Sequence, residues 1–149
     1  ILLSLCSCRT AQPVPTELQT KAITEEIRKV HTAITEAAGR ADVEMMFRCV
    51  AENGNAIFLN DGKQLLTRKQ AYEFYKEQYK SIQKVEYQFS RQDITVISPH
   101  TALWIERGRA NATTTDGRTF ETSFNQTIVF VLTKDDWKAL YVHASDNRN

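Results

Sequence analysis

The side chains whose ordinary charge change falls near neutral pH are few. His31 lies toward the end of a long helical pattern, and His143 lies in the last strand-like run. An imidazole changes charge near neutral pH, so either could serve as a general acid or base. Tyr141 shares the last run with His143 and is a third catalytic candidate. Tyr75 and Tyr79 recur on one helical face, where phenol hydroxyls could reach a cavity. Arg107 and Gln126 offer different chemistry, one cation and one amide able to orient a small polar group in an apolar pocket. The three cysteines and three histidines are too widely separated for metal-ligand spacing, so neither metal nor cofactor is expected.

The elements that must position these groups are legible from period and punctuation. Thr16-Glu17-Leu18-Gln19 is a capping box, and Leu18, Ile23, Ile27, Val30 and Ile34 follow at helical spacing, predicting a first helix over Glu17–Ala38. Gly39 is its expected stop. His31 lies on the flank of that stripe. Asp42 caps a short second helix, Val43–Ala51, and Ala56–Leu59 reads as a strand, with Leu65-Leu66 as a stub that pairs back. Thr67-Arg68-Lys69-Gln70 is a second capping box, opening a helix with Ala71, Phe74, Tyr75, Gln78, Tyr79 and Ile82 on one face. After Lys84 the period becomes two. Its phase slips between Phe89 and Ile94, which predicts a bulge. Ser98-Pro99-His100, Asp116-Gly117 and Lys134–Asp136 then mark the turns of a four-strand antiparallel meander.

The 149 residues fit one domain, 17–149, after a terminal segment, 1–16. A formal charge of +1 gives no basic stripe for nucleic acid. Leu5-Cys6-Ser7-Cys8 resembles a bacterial lipoprotein box, following an apolar run like the end of a signal peptide. It predicts a lipid on Cys8, export to the periplasm or membrane surface, and membrane contact through that anchor only. Cys49 is then the one cysteine left in the domain, expected as a small buried hydrophobe.

Two helices, a strand, a third helix and four long strands form a distinctive order. With Gly62-Lys63 before the capped helix, Asp116-Gly117-Arg118 before Phe120, Trp137-Lys138, and His143-Ala144-Ser145, the chain resembles the nuclear transport factor two-like superfamily. That resemblance implies an α+β fold, a cone-shaped roll of three N-terminal helices on a strongly curved, mainly antiparallel sheet (cystatin-like or SnoaL-like). Relatives include SnoaL-like cyclases, ketosteroid isomerase, scytalone dehydratase and kinase association domains. The association domains carry pocket arginines at strand positions matching Ile105, Ile128 and Ala144, all apolar here. Ketosteroid isomerase uses a tyrosine in its first helix, and this first helix has none.

Which side chains enter the cone depends on strand register, because a slip of one residue turns every side chain over. A two-residue turn at Asp116-Gly117 sets Ile105 opposite Ile128 and Arg107 opposite Gln126. The expected ligand wall is then Ile105, Arg107, Gln126, Ile128 and Phe130, with Tyr75 or Tyr79. In the last hairpin a two-residue turn at Asp135-Asp136 places His143 inside, and a three-residue turn places it outside. The family pattern favours the outside. Val129, Val131, Trp137 and Tyr141 would then form an outer apolar face suited to a homodimer. No acid–base pair is evident, so the reading favours an exported binder of a small apolar molecule over a cyclase, isomerase or dehydratase, or an association domain.

Overall fold

Both capping boxes form as written. Thr16 Oγ1 accepts from the Gln19 amide at 3.2 Å, Gln19 Oε1 accepts from the Thr16 amide at 2.9 Å, and the helix α1 runs Glu17–Gly39. The computed structural model describes residues 14–52, 56–60, 64–134 and 136–148; the expected lipidation site at Cys8 and the Gly62-Lys63 turn lie outside them. Helix α2 (Val43–Arg48) is capped by Asp42 and ends earlier than its apolar pattern suggests. Its continuation is captured by the sheet: the Ala51 amide donates to the Ala139 carbonyl at 2.9 Å, and the Ala139 amide to the Cys49 carbonyl at 2.8 Å. Strands β1 (Ile57–Asn60) and β2 (Gln64–Thr67) pair back on each other, and the Thr67–Gln70 box opens α3 (Arg68–Tyr79). Among the described residues no helix is long and apolar enough to cross a membrane.

Gly39 does not stop α1 by a left-handed turn. Ala41 takes that conformation, with φ 56°, while a Cβ at Gly39 would sit 3.1 Å from the Val85 carbonyl oxygen. The glycine lets α1 approach the sheet.

Four long strands, β3 (Ile82–Ser98), β4 (Thr101–Thr114), β5 (Thr119–Leu132) and β6 (Trp137–Arg148), complete one sheet of order β2-β1-β6-β5-β4-β3. All neighbours are antiparallel except β1 and β6. The phase slip in β3 is a bulge at Ser90, whose hydroxyl donates to the Arg107 carbonyl at 3.1 Å. The inner face of the sheet packs on the helices through Ile27, Phe47, Trp104, Ile128 and Phe130. This is the expected α+β roll.

Two registers differ from expectation. The Asp-Gly hairpin closes with three loop residues, since the Thr114 amide donates to the Arg118 carbonyl at 2.8 Å and Gly117 holds φ 84°. A left-handed glycine ending a three-residue loop is a favoured hairpin closure. It sets Glu106 opposite Gln126 and Trp104 opposite Ile128, so Ile105 and Arg107 turn to the outer face and are exposed. In the last hairpin Thr133 donates to the Asp136 carbonyl at 2.9 Å, and pairing begins at Leu132 with Trp137. An extra residue, Leu140, then bulges between the Phe130–Ala139 and Val129–Tyr141 pairs. The bulge, and not the turn, puts His143 and Tyr141 on the outer face. For the same reason Trp137 belongs to the core, 8% exposed, and not to the outer patch.

Candidate active site

Helix α1 carries His31 one turn beyond Ile27 and one turn before Ile34, both of which face the sheet. Strand β4 brings up Glu106 in the inward phase Ala102, Trp104, Glu106, Gly108. The two meet in the interior. His31 Nε2 lies 2.9 Å from Glu106 Oε2, with His31 5% and Glu106 3% exposed. A buried carboxylate is costly unless its oxygens are hydrogen-bonded. Here the Trp104 indole N–H donates to Oε2 at 2.9 Å and the Gln92 amide donates to it at 3.3 Å. The imidazole stacks on the Trp104 ring, centroids 4.0 Å apart and planes within 15°, and meets Phe89 edge-on at 5.7 Å. With Nε2–H donating a hydrogen bond to the Glu106 carboxylate, the lone pair of a neutral His31 is at Nδ1.

His31 and Glu106 line a cavity of about 280 Å³ inside the cone, walled largely by aromatic and aliphatic side chains. Its other polar groups are the phenols of Tyr75, Tyr79 and Tyr87, the amides of Gln78 and Gln126, and Asp146, with the Thr35 and Thr122 hydroxyls. No lysine or arginine lines it among the described residues. An anionic ligand would therefore find no countercharge.

The Tyr79 and Tyr87 hydroxyl oxygens lie 3.4 Å apart. Burial pushes both phenols up, Tyr87 well above the usual 10, so both remain neutral donors at any physiological pH. A pKa raised in the folded state makes stability fall once pH passes the unfolded value near 10, because the unfolded chain then releases protons that the folded chain keeps. Thermal melts between pH 9 and 11 should show Tyr87→Phe losing less stability with rising pH than the parent does.

The expected site residues divide accordingly. Gln126, Ile128, Tyr75, Tyr79 and His31 line the cavity. Phe130 is a fully buried core residue behind it. Ile105, Arg107, Tyr141 and His143 are on the outer face, so the expected Arg107–Gln126 pair does not form and Gln126 stands beside Glu106 instead. Cys49 is half-buried, its thiol pushed up by desolvation, which keeps it in its unreactive form. Among the described residues no group of three or more His, Cys, Asp or Glu side chains is placed to hold a metal. Sequence reasoning missed Glu106, Trp104 and Tyr87. The available signal was a glutamate in phase with Ala102 and Trp104 on a strand otherwise apolar on that side.

Comparison with known proteins agrees with this architecture. No curated protein matches the chain. Among solved structures, a proposed dehydratase of the NTF2-like family from Streptomyces avermitilis superposes with a TM-score of 0.74 at 20% identity, over 85% of this chain and 97% of that one. A proposed scytalone dehydratase from Novosphingobium aromaticivorans gives 0.79 at 10% identity, over 89% of each chain. A type 2 hexachlorocyclohexane dehydrochlorinase (LinA) gives 0.74 at 9%, over 89% and 90%. At such identities the likeness is one of fold. The family model described as a SnoaL-like domain matches residues 27–147, which takes in His31, Glu106 and the whole cavity wall. The chain belongs to the SnoaL-like domain family, and it shares the fold of NTF2-like structures.

Proposed function

We propose that the cone is the active site of an enzyme that takes a proton from carbon in a small, largely apolar, uncharged substrate. The observation that carries this is the buried His31–Glu106 pair in the wall of a largely apolar cavity. Nδ1 of His31 accepts the proton as the C–H bond breaks, and Glu106 stabilises the imidazolium that forms. The electron pair left on carbon then expels a leaving group from the neighbouring carbon or is reprotonated elsewhere in the substrate. His31 returns its proton in either case, so the cycle closes as an elimination or an isomerisation. The similarly folded dehydratases and dehydrochlorinase bear names that denote eliminations, which supports the same class. Tyr79 and Tyr87 supply neutral donors for a substrate oxygen within the same cavity.

The test is to screen uncharged hydroxy, halo and keto compounds by thermal shift, then follow turnover and solvent deuterium incorporation. His31→Gln should abolish both while the ligand still shifts the melting temperature. Undiminished turnover in that variant rejects the proposal and leaves a binding protein.

Two proposals concern the rest of the molecule. The outer sheet face carries Ile105, 44% exposed, beside half-buried Leu103, Val129, Val131 and Tyr141, and a second copy of the chain is its proposed cover. Light scattering at micromolar concentration should give a dimer, and Ile105→Glu a monomer. From sequence, Cys8 is proposed to be acylated on export. Mass spectrometry of the protein made in a bacterial host should find the lipid, and a Cys8→Ala protein still held by membranes rejects it.

A further inference from the structure

Trp104 touches both members of the pair. Its indole N–H bonds Glu106 Oε2 at 2.9 Å, the same oxygen that His31 Nε2 meets at 2.9 Å. Its ring lies under the imidazole at 4.0 Å, nearly parallel. This follows from the strand: Trp104 and Glu106 are two apart on one face, so the indole reaches the carboxylate of the next inward residue. The tryptophan is itself immobile, 2% exposed and set between Ile94 and Ile128 on the neighbouring strands. The Arg28 guanidinium lies 6.0 Å from the ring centroid, a cation attracted to the same π system.

A carboxylate bound by His31 alone could rotate about its terminal bond and present either oxygen. The indole N–H removes that freedom. With Oε2 pinned, one arrangement satisfies the imidazole: proton on Nε2, ring flat on the indole, lone pair on Nδ1. When Nδ1 takes a proton, the indole face meets a cation at a distance where the ring quadrupole attracts it. Gln92, at 3.3 Å, makes a longer bond to the same atom and has no ring to offer.

We propose that Trp104 is the positioning residue of the site, a single side chain that fixes the carboxylate, the imidazole plane and the histidine tautomer. This rests on His31 acting as the base, but its test needs no substrate. Protein labelled with nitrogen-15 in histidine reports the tautomer directly, His31 being assigned from the signals missing in His31→Gln. The parent should show protonation at Nε2 only, with that proton far downfield and slow to exchange. Trp104→Phe keeps a ring and loses the N–H, and should speed exchange of the Nε2 proton by about tenfold or more, the worth of one hydrogen bond to a charged group. It should also populate the second tautomer.

Benzothienylalanine at position 104, placed by codon suppression, keeps the bicyclic shape without the N–H and gives the same readout if the phenylalanine variant does not fold. Folded variants with the parent's tautomer and exchange rate overturn the proposal. Glu106→Ala, which removes the acceptor outright, separates the two ideas. If it disturbs the His31 signals while the position-104 variants do not, the pair stands and the role of Trp104 falls. If Glu106→Ala also leaves them unchanged, the pair itself is rejected, and the base assignment with it.

Discussion

Glu106→Gln is expected to lower kcat/KM by about 10²–10⁴-fold, the range for removing general acid–base assistance, while leaving the fold intact. The carboxamide has nearly the same shape and still offers one acceptor oxygen, so Trp104 and His31 keep a partner. It lacks the negative charge that stabilises the imidazolium formed on proton abstraction. Because the loss falls on the transition state, kcat should drop with kcat/KM while the ligand-induced thermal shift persists. The melting temperature itself should change little or rise, since a buried charge carries a desolvation cost that the amide avoids. Glu106→Ala is the harsher variant, as it leaves buried donors on His31 and Trp104 without an acceptor. A Glu106→Gln enzyme with parental kcat/KM would reject the pair as catalytic, whatever the cavity binds.

The second large effect is on stability, at a position with no side chain. Gly108 sits in the sheet between Phe89 on β3 and Phe124 on β5, whose rings meet edge-to-face at 6.0 Å. A Cβ there would collide with the Gln88 carbonyl oxygen and lie 3.0 Å from the tip of the Phe124 ring. The carbonyl belongs to the backbone of the adjoining strand and cannot turn aside as a side chain can. Gly108→Ala should therefore destabilise by roughly 1–3 kcal/mol, the usual cost of overpacking, and Gly108→Val by more. Urea denaturation at constant m would measure it as a lower midpoint. Since Phe89 is also the edge contact of His31, residual folded Gly108→Ala should lose activity as well. Parental stability in the alanine variant would mean that the strands separate there at no cost.

What the residues determined by themselves was local. The two Thr–Gln capping boxes fixed the starts of α1 and α3, because those side chains bond the backbone of their own first turn. The period of two fixed the strands, and its slip located the Ser90 bulge. Asp116-Gly117 located a hairpin, and the element order identified the family. Loop length could not be read so directly, since one Asp-Gly pair serves loops of two or three residues at similar local energy.

The choice was made by the interior. The two-residue loop would bury Arg107 and expose Trp104, whereas the three-residue loop buries the indole and leaves the guanidinium in water. The same slip carries Glu106 inward, to a histidine on a helix far away in sequence. Neither residue carries a motif, and His31 has the spacing of a packing residue on α1. Only the packing of that helix across the curved sheet joins them, where each buried polar group finds the other as a hydrogen-bond partner.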